Sequence, residues 1–268
     1  MPRAALANGL ELNYQEEGSG EPLLLIMGTG ASAAFWAFQV PAYSEHYRTI
    51  TYDARGIGKS SVPADPTTCS MAVMADDAVQ LLDALSIDRA HVSGLSLGST
   101  VVQEIALRHP ARVITAQMHG AWAKSDEWFC RMIETLEYPI KHGDHEAFIR
   151  YALMWITSPT FLASGGAPGL EAAFLEEPPD PRGVLGHIHA DKTHDALDRL
   201  KDITCPVLVT AGEQDVQVPP RYGREVADNI PGAHYHLFTG PHASHLACVE
   251  MQDEFNRLTL DWLASQRG

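Results

Sequence analysis

Basic residues are scarce in this 268-residue chain: 19 Lys and Arg stand against 34 Asp and Glu, a formal net charge of −15. An acidic surface repels phosphates instead of releasing counterions from them, which argues against nucleic acid as a partner. It argues equally against anionic membrane surfaces. Long apolar runs are also missing. No stretch of 18 apolar residues exists, so no membrane span is expected. Residues 1–12 lack a charged segment followed by an apolar run, so no signal peptide is expected either. Cysteine is sparse: Cys69, Cys130, Cys205 and Cys248 are scattered, with no C-x-x-C pair. That spacing supports neither a zinc ribbon nor a thioredoxin-like site, and the density is too low for a small disulfide scaffold. The expectation is a cytoplasmic protein with reduced thiols, a monomer or homodimer.

The residues that are present favour one large core, since a chain of this length buries roughly 75% of its extended surface without staples. Short apolar runs alternate with segments of helical period. Glu21–Gly28 (EPLLLIMG), Thr49–Asp53, His91–Leu95, Val113–Met118 and Pro206–Thr210 read as buried parallel strands. His234–Phe238 (HYHLF) alternates apolar and polar, which suits a sheet edge. Between strands, Met71, Met74, Ala75, Ala78, Leu82 and Leu85 recur at helical spacing behind an N-cap candidate, Ser70. Gly98–His109 and Val249–Leu263 read as two more helices. The pattern predicts an α/β fold, a mostly parallel sheet with helices on both faces.

Residues 123–190 break that rhythm, with helices and turn-rich stretches (SGGAPG, PPDP) but no convincing strand. Trp128 and Trp155 lie in the segment and Trp122 at its entrance. It reads as a helical cap inserted between core segments 1–122 and 191–268, with Trp122, Trp128, Trp155 and Phe161 as candidate walls of a pocket.

The chemistry centres on Gly94-Leu95-Ser96-Leu97-Gly98, a G-x-S-x-G pentapeptide set between an expected strand and an expected helix. A serine there must turn sharply, and the flanking glycines let strand and helix approach closely. The helix points the positive end of its dipole at the serine, so the Leu97 N–H can face a developing oxyanion. Met27-Gly28-Thr29-Gly30, after the run LLLI, offers the second donor: the Thr29 N–H, with Gly28 letting backbone approach substrate.

A serine needs a base and an orienting carboxylate to become a nucleophile. Asp215 follows the strand PVLVT, at the carboxyl end of a strand where parallel sheets assemble their sites. Glu213 and Asp126 are competing carboxylates. The loop Gly240-Pro241-His242-Ala243-Ser244-His245 offers two histidines, of which one completes the set.

With its order Ser…Asp…His, the chain resembles the α/β-hydrolase superfamily over nearly its whole length. The resemblance is carried by LLLIMGTG, YDARGIGKS (Tyr52–Ser60), the GLSLG elbow, Gly212–Asp215 and the histidine loop. In that family the active histidine is followed five residues later by glutamate and ten later by phenylalanine. Counting from His245 gives Glu250 and Phe255, whereas His242 gives Ala247 and Gln252, so the resemblance selects His245. Two departures stand out: Met27 where the family has histidine before glycine, and Ser99 where glycine is common. Within the superfamily the chain is similar to the 3-oxoadipate enol-lactonase and aminoacrylate hydrolase groups, which implies a helical cap and no cofactor.

Other polar clusters read as structural. Asp53, Arg55, Gly56, Gly58 and Ser60 brace a turn, and Gly-Ile-Gly-Lys-Ser lacks the spacing of a phosphate loop. His187, His189, His194, Asp191 and Asp195 match no extended metal-ligand motif, so no metal is expected. The expected function is a serine hydrolase of a small carboxylic ester or lactone. The alternatives are hydrolysis of a carbon–carbon bond beside a ketone or of an amide or carbamate, and a binding protein without turnover.

Overall fold

In the computed structural model, which describes residues 2–176 and 178–267, eight strands join in one sheet. They are β1 (Arg3–Ala5), β2 (Glu11–Glu17), β3 (Pro22–Ile26), β4 (Arg48–Tyr52), β5 (Ala90–Leu95), β6 (Val113–His119), β7 (Val207–Gly212) and β8 (His234–Phe238). Their order across the sheet is β1-β2-β4-β3-β5-β6-β7-β8. The pairs β1–β2 and β2–β4 are antiparallel and all the others parallel. The alternating strand β8 does lie at an edge, while β3, β5 and β7 are buried runs inside the sheet. The antiparallel pair β1–β2 had no counterpart among the expected strands.

The helices are α1 (Val40–Tyr43), α2 (Met71–Ala84), α3 (Leu97–Arg108), α4 (Glu127–Lys141), α5 (His145–Ile156), α6 (Pro159–Ala163), α7 (Ala167–Glu176), α8 (Pro181–Thr193), α9 (Pro220–Asn229), α10 (Ala247–Glu250) and α11 (Gln252–Ser265). Ser70 caps α2 by accepting the Val73 N–H. The closing helix expected over Val249–Leu263 is two helices, broken at Met251. Successive residues of β3 point to opposite faces. Leu24 and Ile26 join a core with α2 and α3, and Leu23 and Leu25 join a second core with Trp36, Tyr43 and Phe255.

Helices α4 to α8 lie between β6 and β7, where residues 123–190 read as a helical insertion. A single bridge between Lys124 and Asp195 closes the neck of the excursion, and α8 runs past residue 190 to Thr193. Met1, Glu177 and Gly268, which fall in the three expected segments, lie outside the described residues. The four cysteines are all free thiols. Among the described residues, no helix is long and apolar enough to cross a membrane.

Candidate active site

The carboxyl ends of β3, β5 and β7 and the loop after β8 converge on one edge of the sheet. Ser96 stands directly between β5 and α3 with φ 56° and ψ −124°, one of two non-glycine residues with positive φ among the described residues. Such a conformation costs about 1–3 kcal/mol and persists only where surroundings over-determine it. Here they do. A Cβ on Gly94 would collide with the Gly98 carbonyl, and one on Gly98 with the Ile26 carbonyl of β3. The Ser96 N–H donates to the His119 carbonyl at 2.8 Å. The Ser99 hydroxyl, where the family pattern has glycine, donates to the Ser96 carbonyl at 2.6 Å and so tightens the same turn.

Asp215 and His245 form a buried pair. His245 Nδ1–H donates to Asp215 Oδ2 at 2.7 Å, with the two side chains 3% and 0% exposed. The other carboxylate oxygen accepts the backbone N–H groups of Gln217 (3.0 Å) and Val218 (2.7 Å), so Asp215 cannot rotate away. His245 Nε2 has no hydrogen-bond partner among the described residues, and it shares a cavity with Ser96.

The competing candidates are engaged elsewhere. Glu213 accepts the Gly240 N–H, and Asp126 caps α4 while accepting the Tyr222 hydroxyl. His242 is 44% exposed in its side chain and leans on Glu250 at 3.4 Å. Glu250, itself 1% exposed in its side chain, also accepts the Ser158 N–H and the Ser158 and Ser244 hydroxyls. It thereby ties the histidine loop to the start of α6.

The loop after β3 approaches the elbow from the opposite side. A Cβ on Gly28 would stand 3.1 Å from Ser96 Cβ, a contact tight enough that the serine would have to give by a few tenths of an ångström, so glycine suits this close approach. Thr29 lines the same cavity, and its hydroxyl donates to Asp191 Oδ2 on α8 at 2.6 Å. The Leu97 N–H is the first of α3, where helices leave their N–H groups without an intrahelical acceptor.

The cavity over Ser96 measures about 60 Å³. Its walls are apolar: Phe35, Leu136, Phe148, Ile149, Ala152, Ile156 and Phe174, with Met27, Leu95 and Leu246 near the serine. Thr29, Ser96, Gln217 and His245 are the polar residues lining it, and no Lys, Arg, Asp or Glu is among them.

Gly28 is in that lining, but the four aromatics expected there are not. Trp122 is 1% exposed behind the site, against Phe129, with its Nε1–H donated to Ser125. Trp128 is 41% exposed on the outer side, under the Arg221 guanidinium. Trp155 donates its Nε1–H to Thr135 and so joins α5 to α4. Phe161 folds over Gly166 in the turn between α6 and α7. Each satisfies an apolar or hydrogen-bonding demand of the packing. The walls come instead from the α5 face Phe148-Ala152-Ile156, whose i, i+4, i+8 spacing was the available signal.

His187 and Asp191 are engaged in hydrogen bonds with the loop after β3 and its surroundings. No group of three or more His, Cys, Asp or Glu side chains among the described residues is arranged to hold a metal.

Comparison with known proteins agrees with this architecture. Residues 21–248 match the family model described as alpha/beta hydrolase fold. A protein of Variovorax paradoxus named "Putative carbamate hydrolase RutD" is 33% identical over 261 residues, covering 95% of this chain and 97% of its own. The protein of the same name from Azorhizobium caulinodans is 30% identical over 252 residues, covering 93% and 94%. Among solved structures, the enol-lactonase from Burkholderia xenovorans LB400 superposes with a TM-score of 0.88 at 28% identity, covering 98% of this chain and 100% of its own.

Proposed function

Since the chain belongs to the α/β-hydrolase fold family, we propose that it is a serine hydrolase of a neutral, largely apolar carboxylic ester or lactone. The observation that carries this reading is the buried Asp215–His245 pair beside Ser96 at the floor of an uncharged cavity. Ser96 Oγ attacks the carbonyl carbon and gives its proton to His245 Nε2. Asp215 holds the imidazole with Nε2 toward the serine and stabilises the imidazolium. The N–H groups of Leu97 and Thr29 receive the oxyanion, a contribution typically worth about 10²–10³ in rate per donor. Collapse expels the alcohol with the proton from His245. The same nitrogen then activates water to hydrolyse the acyl-enzyme.

The walls support the choice of substrate. A carboxylate buried among them would lose its hydration with no cation in return, a cost far above that of a neutral group. A space of about 60 Å³ admits roughly four to six water-sized groups, the size of a short acyl chain. A second reading, a neutral carbamate or amide as substrate, is favoured by the carbamate hydrolase relatives. A cytoplasmic location fits the four free thiols.

The test is turnover across p-nitrophenyl esters from acetate to octanoate, neutral and carboxylate-bearing lactones, carbamates and a diketone. Neutral short esters or lactones are expected to lead by at least about tenfold in kcat/KM, and Ser96→Ala to abolish the reaction. Faster carbamate or diketone cleavage would move the assignment to those bonds. No turnover of any of them, with Ser96 inert to a fluorophosphonate, would leave only a binding role.

A further inference from the structure

Thr29 is flanked by two permissive residues, Gly28 and Gly30, the latter at φ +71°, and a single turn bond within the loop, Ala31 N–H to the Gly28 carbonyl at 3.3 Å, spans it. The loop is also held from outside, by one face of α8. The Thr29 hydroxyl donates to Asp191 Oδ2 at 2.6 Å. The Gly30 N–H donates to His187 Nδ1, one helical turn earlier, at 3.3 Å. His187 in turn donates its Nε2–H to the Arg55 carbonyl at 3.0 Å, and burial keeps the ring neutral by lowering its pKa to about 4.

Helix α8 is itself immobilised on three sides. Gly183 presses on Gly56 so closely that a Cβ on either would collide with the other. Arg55, beside Gly56, is locked by Asp77 through two bonds of 2.5 and 2.7 Å. At the far end the Ser125 hydroxyl donates to the Asp191 carbonyl and accepts the Trp122 Nε1–H. Asp191 has no exposed surface, and its second oxygen, Oδ1, has no hydrogen-bond partner among the described residues. A carboxyl buried at the cost of one unsatisfied oxygen, spending its other oxygen on Thr29, does nothing else visible for the packing.

We infer that Asp191 is a positioning residue: through the Thr29 hydroxyl it fixes the side chain, and with it the backbone N–H, of the second oxyanion donor. The inference rests on the serine-hydrolase reading above and extends it from the loop that carries the donor to the cap helix that holds it. Burial raises the Asp191 carboxyl to about 7, so near neutrality much of it is protonated. An amide of the same shape can then replace it as acceptor for Thr29.

The test compares Asp191→Ala, Asp191→Asn, Thr29→Val, Thr29→Ser and the Asp191→Ala/Thr29→Val double variant on p-nitrophenyl butyrate. Asp191→Ala and Thr29→Val are each expected to lower kcat about 10- to 100-fold, with KM within about threefold of the wild type because ground-state contacts survive. The double variant should be no worse than the poorer single one, since both remove the same hydrogen bond. Asp191→Asn and Thr29→Ser should recover kcat to within about threefold. A folded Thr29→Val enzyme at wild-type kcat would overturn the inference, as would additive losses or an Asp191→Asn as slow as Asp191→Ala. If Asp191→Ala fails to fold, the Thr29 pair and Asp191→Asn still decide. Full turnover by Ser96→Ala would overturn the underlying reading; an inactive Ser96→Ala beside an unaffected Thr29→Val would overturn this inference alone.

Discussion

A Cβ on Gly120 would stand 2.8 Å from His245 Cε1 and 3.0 Å from Nδ1, so the imidazole rests directly on the glycine at the end of β6. Gly120 has φ +56°, and its N–H is fixed to the Thr210 carbonyl at 3.0 Å, so the backbone cannot retreat. Gly120→Ala is expected to push His245 off its line with Ser96. Displacements near 1 Å can cost about 10² in rate. Steady-state kinetics should show kcat falling by that order while Asp215→Asn, measured beside it, reports loss of the pair itself.

The two histidines of the loop separate cleanly. His245→Ala removes the proposed proton acceptor and should cost on the order of 10⁵–10⁶ in kcat. His242→Ala, at a half-exposed position away from the cavity lining, should stay within about threefold of the wild type on the same ester. The reverse pattern would assign the base to His242.

Glu250 clamps the histidine loop to the cap through Ser158 and Ser244. Glu250→Ala leaves these buried donors unsatisfied, a loss of about 2–4 kcal/mol. Urea unfolding should register it as a lower midpoint at unchanged slope. Because Leu246 N–H also bonds the Ile156 carbonyl at the cavity wall, KM should rise together with the loss of stability.

Acid should destabilise the fold through buried neutral histidines. Burial lowers His119 to about 3 and His187 and His194 to about 4, below the ordinary 6.5. Their contribution is present above 6.5 and lost as pH falls through about 4 for His187 and His194 and through about 3 for His119, by about 3 kcal/mol or more each. Asp191 works in the opposite sense. Its carboxyl is raised from 3.8 to about 7, so its contribution is full below 3.8 and is lost as pH rises to 7. Denaturation midpoints of wild type and Asp191→Asn should diverge in favour of the variant between pH 4 and 7 and run parallel above. Curves parallel throughout would contradict the burial of that carboxyl.

The sheet was readable because β3, β5, β6 and β7 are apolar runs closed by glycine or proline-bounded turns, a pattern that parallel burial demands. Strand β2 was not. Its ELNYQEE carries one half-buried stretch and an exposed acidic end at an antiparallel edge, a composition that reads as loop. That Ser96, Asp215 and His245 would meet at one edge of the sheet was legible because each follows a strand and has a distinctive neighbour sequence. The cavity walls were not, since tryptophan content signals burial without direction: Trp122 turns to the core and Trp128 outward. The Thr29–Asp191 bond joins residues 162 apart in sequence, and no local spacing marks it.

The role of Ser96 is tested most directly by intact-mass and peptide mapping after treatment with a fluorophosphonate, using wild type and Ser96→Ala. The expected result is a single adduct on the peptide bearing Ser96, stoichiometric with loss of esterase activity and absent from the variant. An unmodified Ser96 in an enzyme that still turns over esters, or an adduct on another residue that tracks the activity, would contradict it.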